Sequence, residues 1–365
     1  MKKIILNIPK TSQQTYPIFI GRGLLEKVST LLDIKKYSKV FIITDQITKK
    51  LYLKKIMASL PNDTDFIALP PSEKAKNIEN VQKIWMALSN GQYDRKSLII
   101  NLGGGVIGDM GAFAAATFMR GMDFINVPTT LLAQVDASVG GKTGIDFSGI
   151  KNLIGTFNQP VAVIVDIEAL STLPKREFLS GFAEIIKHGL TLDKKHFEKV
   201  TNKHPLKFSK DELIDIICKS IQLKADVVES DLLERGRRKV LNFGHTIGHA
   251  IESLSIDSKR PLLHGEAVSI GMVAEARIAH LMKLLSLKDL QLIEKVLVKA
   301  DLPTSVPNLK QDDLYKKINR RTVLLRKIKL DKKNEKGRVN FTLLRAIGEA
   351  IINQDVSASM VRQVL

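Results

Sequence analysis

The sequence predicts a two-part fold: an α/β domain built on a parallel sheet over residues 1–167, then a mostly α-helical domain over 168–365. Two observations predict it. Short runs of Ile and Val alternate with helical patterns in the first half, which is how a parallel sheet covered by helices reads in sequence. After about residue 168 the apolar residues change to helical spacing and stay there for most of the remaining chain. At 365 residues the chain is long enough for two such units.

The expected strands are "VFIIT" (40–44), "DFIAL" (65–69), "SLIINL" (97–102), "DFINV" (123–127) and "VAVIVD" (161–166). Between them lie helical stretches such as "NIENVQKIWMALSNG", whose end is marked by Gly91. In the second half "KREFLSGFAEIIKHGL", "DELIDIICKSIQLKADVV", "VLNFGHTIGHAIESL", "GEAVSIGMVAEARIAHLM" and "LKDLQLIEKVLVKA" all carry helical periodicity. Only "GRVNFTLL" near the end reads as a strand. A site in the cleft between two such domains is the natural expectation.

Composition narrows the function classes. The single cysteine, Cys218, excludes an intrachain disulfide and suits a reducing, cytoplasmic setting; its apolar surroundings read as burial. The apolar run in "MKKIILNIPK" is too short for a signal peptide, and no apolar run approaches the roughly 18 residues of a spanning helix, so no membrane is expected. The formal charge of +18 raises nucleic-acid binding as one class and an inward-facing anion pocket as another. The lysines are scattered, aromatic residues are only 5%, and no nucleic-acid module is visible, so nucleic acid is not expected as a partner.

"SLIINLGGGVIGDMGAFAAATFMRG" runs strand, glycine-rich turn, helix. Gly103, Gly104 and Gly105 let the backbone approach a ligand closely, and Gly108 and Asp109 open a helix whose N–H groups and dipole suit a pyrophosphate. This makes the first domain a Rossmann-like nucleotide-binding candidate, although the spacing is not G-x-G-x-x-G. A second dense stretch spans residues 127–155, with Thr129, Thr130, Asp136, Gly140, Gly141, Lys142, Lys151 and Asn152. It has the ingredients of a polar, phosphate-bearing cleft.

Of seven histidines, two stand four apart in "LNFGHTIGHAIE", so His245 and His249 share a helix face. "GFAEIIKHG" adds Glu184, Lys187 and His188 on an apolar helix, and "LLHGEAV" adds His264. A catalytic zinc commonly takes three His or carboxylate ligands. Spacing alone admits His245, His249 and Glu184, or His245, His264 and Glu184, and does not separate them.

Taken together, "GGGVIGD", "RGMDFINVPTTLLAQVDASVGGKTGID", "KNLIG", "FAEIIKHG", "LNFGHTIGHAIE" and "HGEAVSIGM" resemble the 3-dehydroquinate synthase family of sugar-phosphate cyclases, over about residues 40–345. The resemblance implies a homodimer that turns 3-deoxy-D-arabino-heptulosonate 7-phosphate into 3-dehydroquinate and phosphate, with recycled NAD and a divalent metal, Zn2+ or Co2+. It implies Glu184, His245 and His264 as metal ligands and His249 as the proton-moving partner, with Lys142, Lys187 and Asn242 also at the reacting centre. It places NAD against Asp45, Glu73, Lys76, Gly104, Gly105, Val106, Ile107, Gly108, Asp109, Thr129, Thr130, Asp136, Lys142, Lys151 and Thr172. The anionic sugar-acid phosphate falls to Lys142, Asn152, Lys187, Lys224, Arg238, Asn242 and Lys332, with Arg120 reaching in from the partner subunit. Two positions depart from the family pattern: Ser72 stands where glycine is usual, and Phe243 where leucine is common.

Overall fold

The computed structural model describes residues 15–256, 258–306, 321–329 and 339–364. Six strands form one parallel sheet: β1 (Ile18–Gly21), β2 (Val40–Asp45), β3 (Asp65–Leu69), β4 (Leu98–Gly103), β5 (Asp123–Pro128) and β8 (Ala162–Asp166), in the order β1-β8-β5-β4-β2-β3. The five expected strands are all present, each within a residue or so of its sequence-based bounds. Their continuous apolar runs follow from burial of both faces. Ile42, Ile100, Ile125 and Ile164 pack into one cluster, and their neighbours Phe41, Ile43, Ile99 and Phe124 into another on the opposite face.

Three segments differ from the sequence expectation. β1 adds an edge strand beside β8. The stretch expected to line a polar cleft also holds an antiparallel hairpin that sequence did not announce, β6 (Lys142–Phe147) and β7 (Ile150–Phe157). Its two-residue turn, Ser148–Gly149, has positive φ at both positions (50° and 74°), the requirement of a tight type I′ connection. Near the C-terminus β9 (Asn340–Ala346), which "GRVNFTLL" announced, pairs with β10 (Glu349–Asp355).

The chain leaves β2 outward to β3 and returns on the other side of β2 as β4, so its direction reverses between β2 and β4. Crevices outside the carboxyl ends of such strands are where doubly wound sheets bind ligands. Asp45 and Gly103 stand at those two ends.

The second half is built around the helix Lys175–Leu192, buried without interruption from Phe178 to Thr191 and therefore central. The helices Lys210–Ser230, His245–Ser255 and His264–Leu281 surround it or pack nearby. The last two approach so closely that a Cβ on Gly271 would lie 1.9 Å from the Gly244 carbonyl oxygen. The buried Glu275 carboxylate accepts from the Gly244 N–H at 2.6 Å and the Ile247 N–H at 3.1 Å, capping the helix that carries His245. Val163 and Val165 of the sheet join the core of this half, so the two parts share packing. Among the described residues no helix is long and apolar enough to cross a membrane.

Candidate active site

Three helices converge on one buried carboxylate. Glu184, fully buried in Lys175–Leu192, forms an ion pair with Lys187 one turn on. His245 Nε2 lies 3.7 Å from Glu184 Oε1, and His264 Nε2 lies 3.6 Å from the same oxygen. Those separations are too long for hydrogen bonds. They suit atoms sharing an ion held at about 2.0–2.2 Å from each ligand. Glu184 Oε1 has no hydrogen-bond donor among the described residues, which a cation would remedy.

Both imidazoles are oriented from behind. His245 Nδ1 donates to the Phe243 carbonyl at 3.2 Å, and His264 Nδ1 donates to Glu252 Oε2 at 3.2 Å, turning each Nε2 toward Glu184. His249 completes the cluster. Its ring is 4.9 Å from that of His245 and 5.8 Å from that of His264, and donor atoms of the three histidines lie within 4.8 Å of one another.

The charges are consistent with a cation site. Burial would raise the Glu184 carboxyl, but Lys187 and His264 hold it down at about 2. Burial would likewise lower the His264 imidazole, but Glu252 and Glu184 hold it up at about 10. The cluster thus keeps a positive charge between its carboxylates, which a divalent ion can supply in place of the proton.

The helix Gly105–Thr117 follows β4 with Gly104 as its N-cap and no side chain capping it. Gly103, Gly104, Gly105 and Gly108 line a cleft with Ala137 and Ser138 at this helix N-terminus, whose dipole favours an anion. Thr130 Oγ1 accepts from the Ala133 N–H at 3.2 Å, and the Thr129 N–H donates to the Gly103 carbonyl at 2.9 Å. Asp109 pairs with Lys76, whose Nζ also donates to Asn152 Oδ1 at 2.5 Å. Asn152, expected in the anion pocket, thus also meets Lys76, which is expected at the cofactor. Asp45 caps the turn after β2 through the N–H groups of Ile47 and Thr48 at 2.8 and 2.9 Å. Thr172 packs against the Tyr52 hydroxyl.

The residues expected to bind the anionic substrate fall mainly into two groups. Lys142 pairs with Glu234, and Asn242 Nδ2 donates to the same carboxylate at 2.7 Å. Lys224 Nζ donates to the Asp136 carboxylate at 2.6 Å, beside the buried Arg238, which donates to the carbonyls of Gly140 (3.2 Å) and Leu232 (2.6 Å). Burial opposes ionisation of Asp136, yet Lys224, Lys187 and His188 hold it well below the usual carboxylate range. Arg120 is exposed just after Gly105–Thr117, and Lys332 lies outside the described residues.

Sequence reasoning missed three acids: Glu234, Glu252 and Glu275. Glu252 had a readable signal, since it stands seven residues after His245 and so on the same helix face. Glu234 and Glu275 had none, because Glu234 meets Lys142 from the first half of the chain and Glu275 caps a helix that starts thirty residues earlier.

The architecture is shared with solved enzymes. A 2-epi-5-epi-valiolone synthase from Streptomyces hygroscopicus subsp. jinggangensis, with NAD+ and Zn2+ bound, matches with a TM-score of 0.86 at 25% identity over 98% of each chain. A 2-deoxy-scyllo-inosose synthase complexed with carbaglucose-6-phosphate, NAD+ and Co2+ matches at 0.84 and 25% over 95% of each. The fold is that of the sugar-phosphate cyclases. Within that class, the 3-dehydroquinate synthase N-terminal family matches residues 66–180 and the 3-dehydroquinate synthase C-terminal family residues 181–333. A 3-dehydroquinate synthase of Prochlorococcus marinus is 43% identical over 360 residues, covering 96% of this chain and 95% of that protein. The chain belongs to the 3-dehydroquinate synthase family.

Proposed function

We propose that the chain converts 3-deoxy-D-arabino-heptulosonate 7-phosphate into 3-dehydroquinate and phosphate, as a carbon–oxygen lyase of the shikimate pathway. The observation that carries this is the convergence of His245 and His264 on the buried Glu184 oxygen, beside a lysine-rich pocket and near an uncapped glycine-rich helix N-terminus. Glu184, His245 and His264 hold the divalent metal, zinc or cobalt, and the Gly104–Asp109 turn with Glu73, Lys76 and Lys151 holds NAD. Once held there, the metal would supply Lewis acidity toward a substrate hydroxyl and NAD a reversible hydride acceptor.

The protein's own groups do the rest. Lys142, Lys187, Lys224, Arg238 and Asn242 fix the phosphate and carboxylate of the substrate and stabilise its charge. Binding an anion there redistributes the pairs Lys142–Glu234 and Lys224–Asp136. His249, one imidazole from both ligand histidines, takes the hydroxyl proton on oxidation. The ketone so formed acidifies the neighbouring C–H, and the substrate's own phosphate removes that proton as it leaves. After re-reduction the ring opens and an intramolecular aldol step closes the carbocycle inside the same enclosure.

The active form is proposed to be a homodimer in the cytoplasm. Met119, Phe147, Ile150, Leu153 and Phe157 are exposed large apolar side chains on the helix end beside Arg120 and on the hairpin, and a second copy would cover them. The decisive test is phosphate release from the heptulosonate phosphate with NAD, with and without chelator and zinc add-back. Release that needs zinc and only catalytic NAD, with no net NADH, is expected. NADH accumulating from simple polyols, without phosphate release, would redirect the assignment to a dehydrogenase.

A further inference from the structure

A chain of alternating charges runs from the turn after β3 to the metal cluster. Glu73 Oε1 lies 3.0 Å from Lys151 Nζ on β7, and Lys151 Nζ donates to Glu252 Oε1 at 2.8 Å. Glu252 uses its other oxygen, Oε2, to accept from His264 Nδ1, and His264 Nε2 faces Glu184. We propose that Glu252 is a positioning residue for His264 and that Lys151 extends its reach to the cofactor turn, so that NAD and metal bind cooperatively. The proposal rests on the NAD-and-metal assignment above and adds the energetic link between the two sites.

Three observations carry it. The Glu252 carboxylate is buried, so its charge must be compensated, and its two oxygens are shared between different elements, the hairpin and the His264 helix. The hairpin is itself tied to the cofactor turn: the Asp146 N–H donates to the Lys76 carbonyl at 2.9 Å, and Lys76 Nζ donates to Asn152. The imidazole of a metal ligand takes its orientation from the partner of its other nitrogen, which here is Glu252. Ordering the turn with NAD therefore orders Lys151, Glu252 and His264 in sequence, and the metal then loses less freedom on binding; linkage requires the reverse effect to be equal.

The test is zinc titration of the metal-stripped full-length protein with and without saturating NAD, and NAD titration with and without zinc. It is run on wild type, Lys151→Arg, Lys151→Met and Glu252→Gln. In wild type, NAD should tighten zinc by about fivefold or more, and zinc should tighten NAD by the same factor. Lys151→Arg should retain the coupling and Lys151→Met should lose it. Glu252→Gln should lose it and also weaken zinc roughly tenfold in the absence of NAD. If Glu252→Gln fails to fold, Lys151→Met, altered at the rim of the bridge, carries the test. Zinc affinity in wild type that is equal or weaker with NAD overturns the proposal, as does full coupling in Lys151→Met. Wild-type protein that binds neither zinc nor NAD overturns the cofactor assignment itself, which separates the two failures.

Discussion

Ser72 has φ 111° and ψ 161°, a region essentially reserved for glycine, in the turn that leads into Glu73 and Lys76. The turn keeps the glycine geometry and bears the strain of a side chain. Strain of this kind costs about 1–3 kcal/mol, and glycine's extra unfolded-state freedom offsets about 0.5–1 of it. Ser72→Gly is therefore expected to raise stability by about 1 kcal/mol, read as a higher denaturation midpoint with an unchanged m-value. At the same scale, the histidines divide by what holds them. His245→Ala or His264→Ala should lose metal and turnover together, whereas His249→Ala should keep its metal and lose about 10²–10⁴ in kcat. Metal analysis beside the rate decides this, and a metal-free His249→Ala protein would make His249 a ligand.

Among the elements, the helices of the second half bury neutral histidines. His188 donates or accepts at the Ser220 hydroxyl (2.7 Å) with burial and Lys187 lowering its pKa to about 3. His196, in the helix Lys194–Thr201, is lowered by burial to about 4. The unfolded chain takes up these protons near pH 6.5, while the folded chain refuses them until far lower pH. Stability from each is thus complete above about pH 6.5 and falls by up to about 1.4 kcal/mol per pH unit below it, until the folded pKa is reached. Melting temperature measured from pH 7 to pH 5 should fall less in His196→Leu than in wild type; parallel curves would show that His196 is not part of the acid response.

Across the whole molecule, a net charge of +18 favours the proposed sugar-acid phosphate, and its long-range field would add to the local contacts proposed for Lys142, Lys187 and Arg238. Substrate KM should rise several-fold, with kcat little changed, as the screening length shrinks from about 10 Å at 0.1 M salt to about 3 Å at 1 M. A KM independent of salt would mean that only the buried pairs matter.

Much was legible in the sequence because local patterns report local physics. The strands of the sheet, the glycine-rich turn after β4 and the helices bearing Glu184, His245 and His264 were all readable from apolar period and glycine placement. The hairpin at 142–157 was not, because seven of the eight residues of β7 are exposed and lack the alternation of a half-buried strand. The edge strand β1 was missed because four residues are too few to show a period. By itself the sequence determined which segments become strands and helices, and which side chains are capable of metal, phosphate or proton chemistry. Only the tertiary structure decided that His245 and His264 approach the same Glu184 oxygen at 3.7 and 3.6 Å, that Asn152 accepts from Lys76, and that Glu252 is shared by Lys151 and His264. The physical reason is that periodicity records whether a residue is buried, whereas the identity of its partner depends on helices and a hairpin brought together from a hundred residues apart.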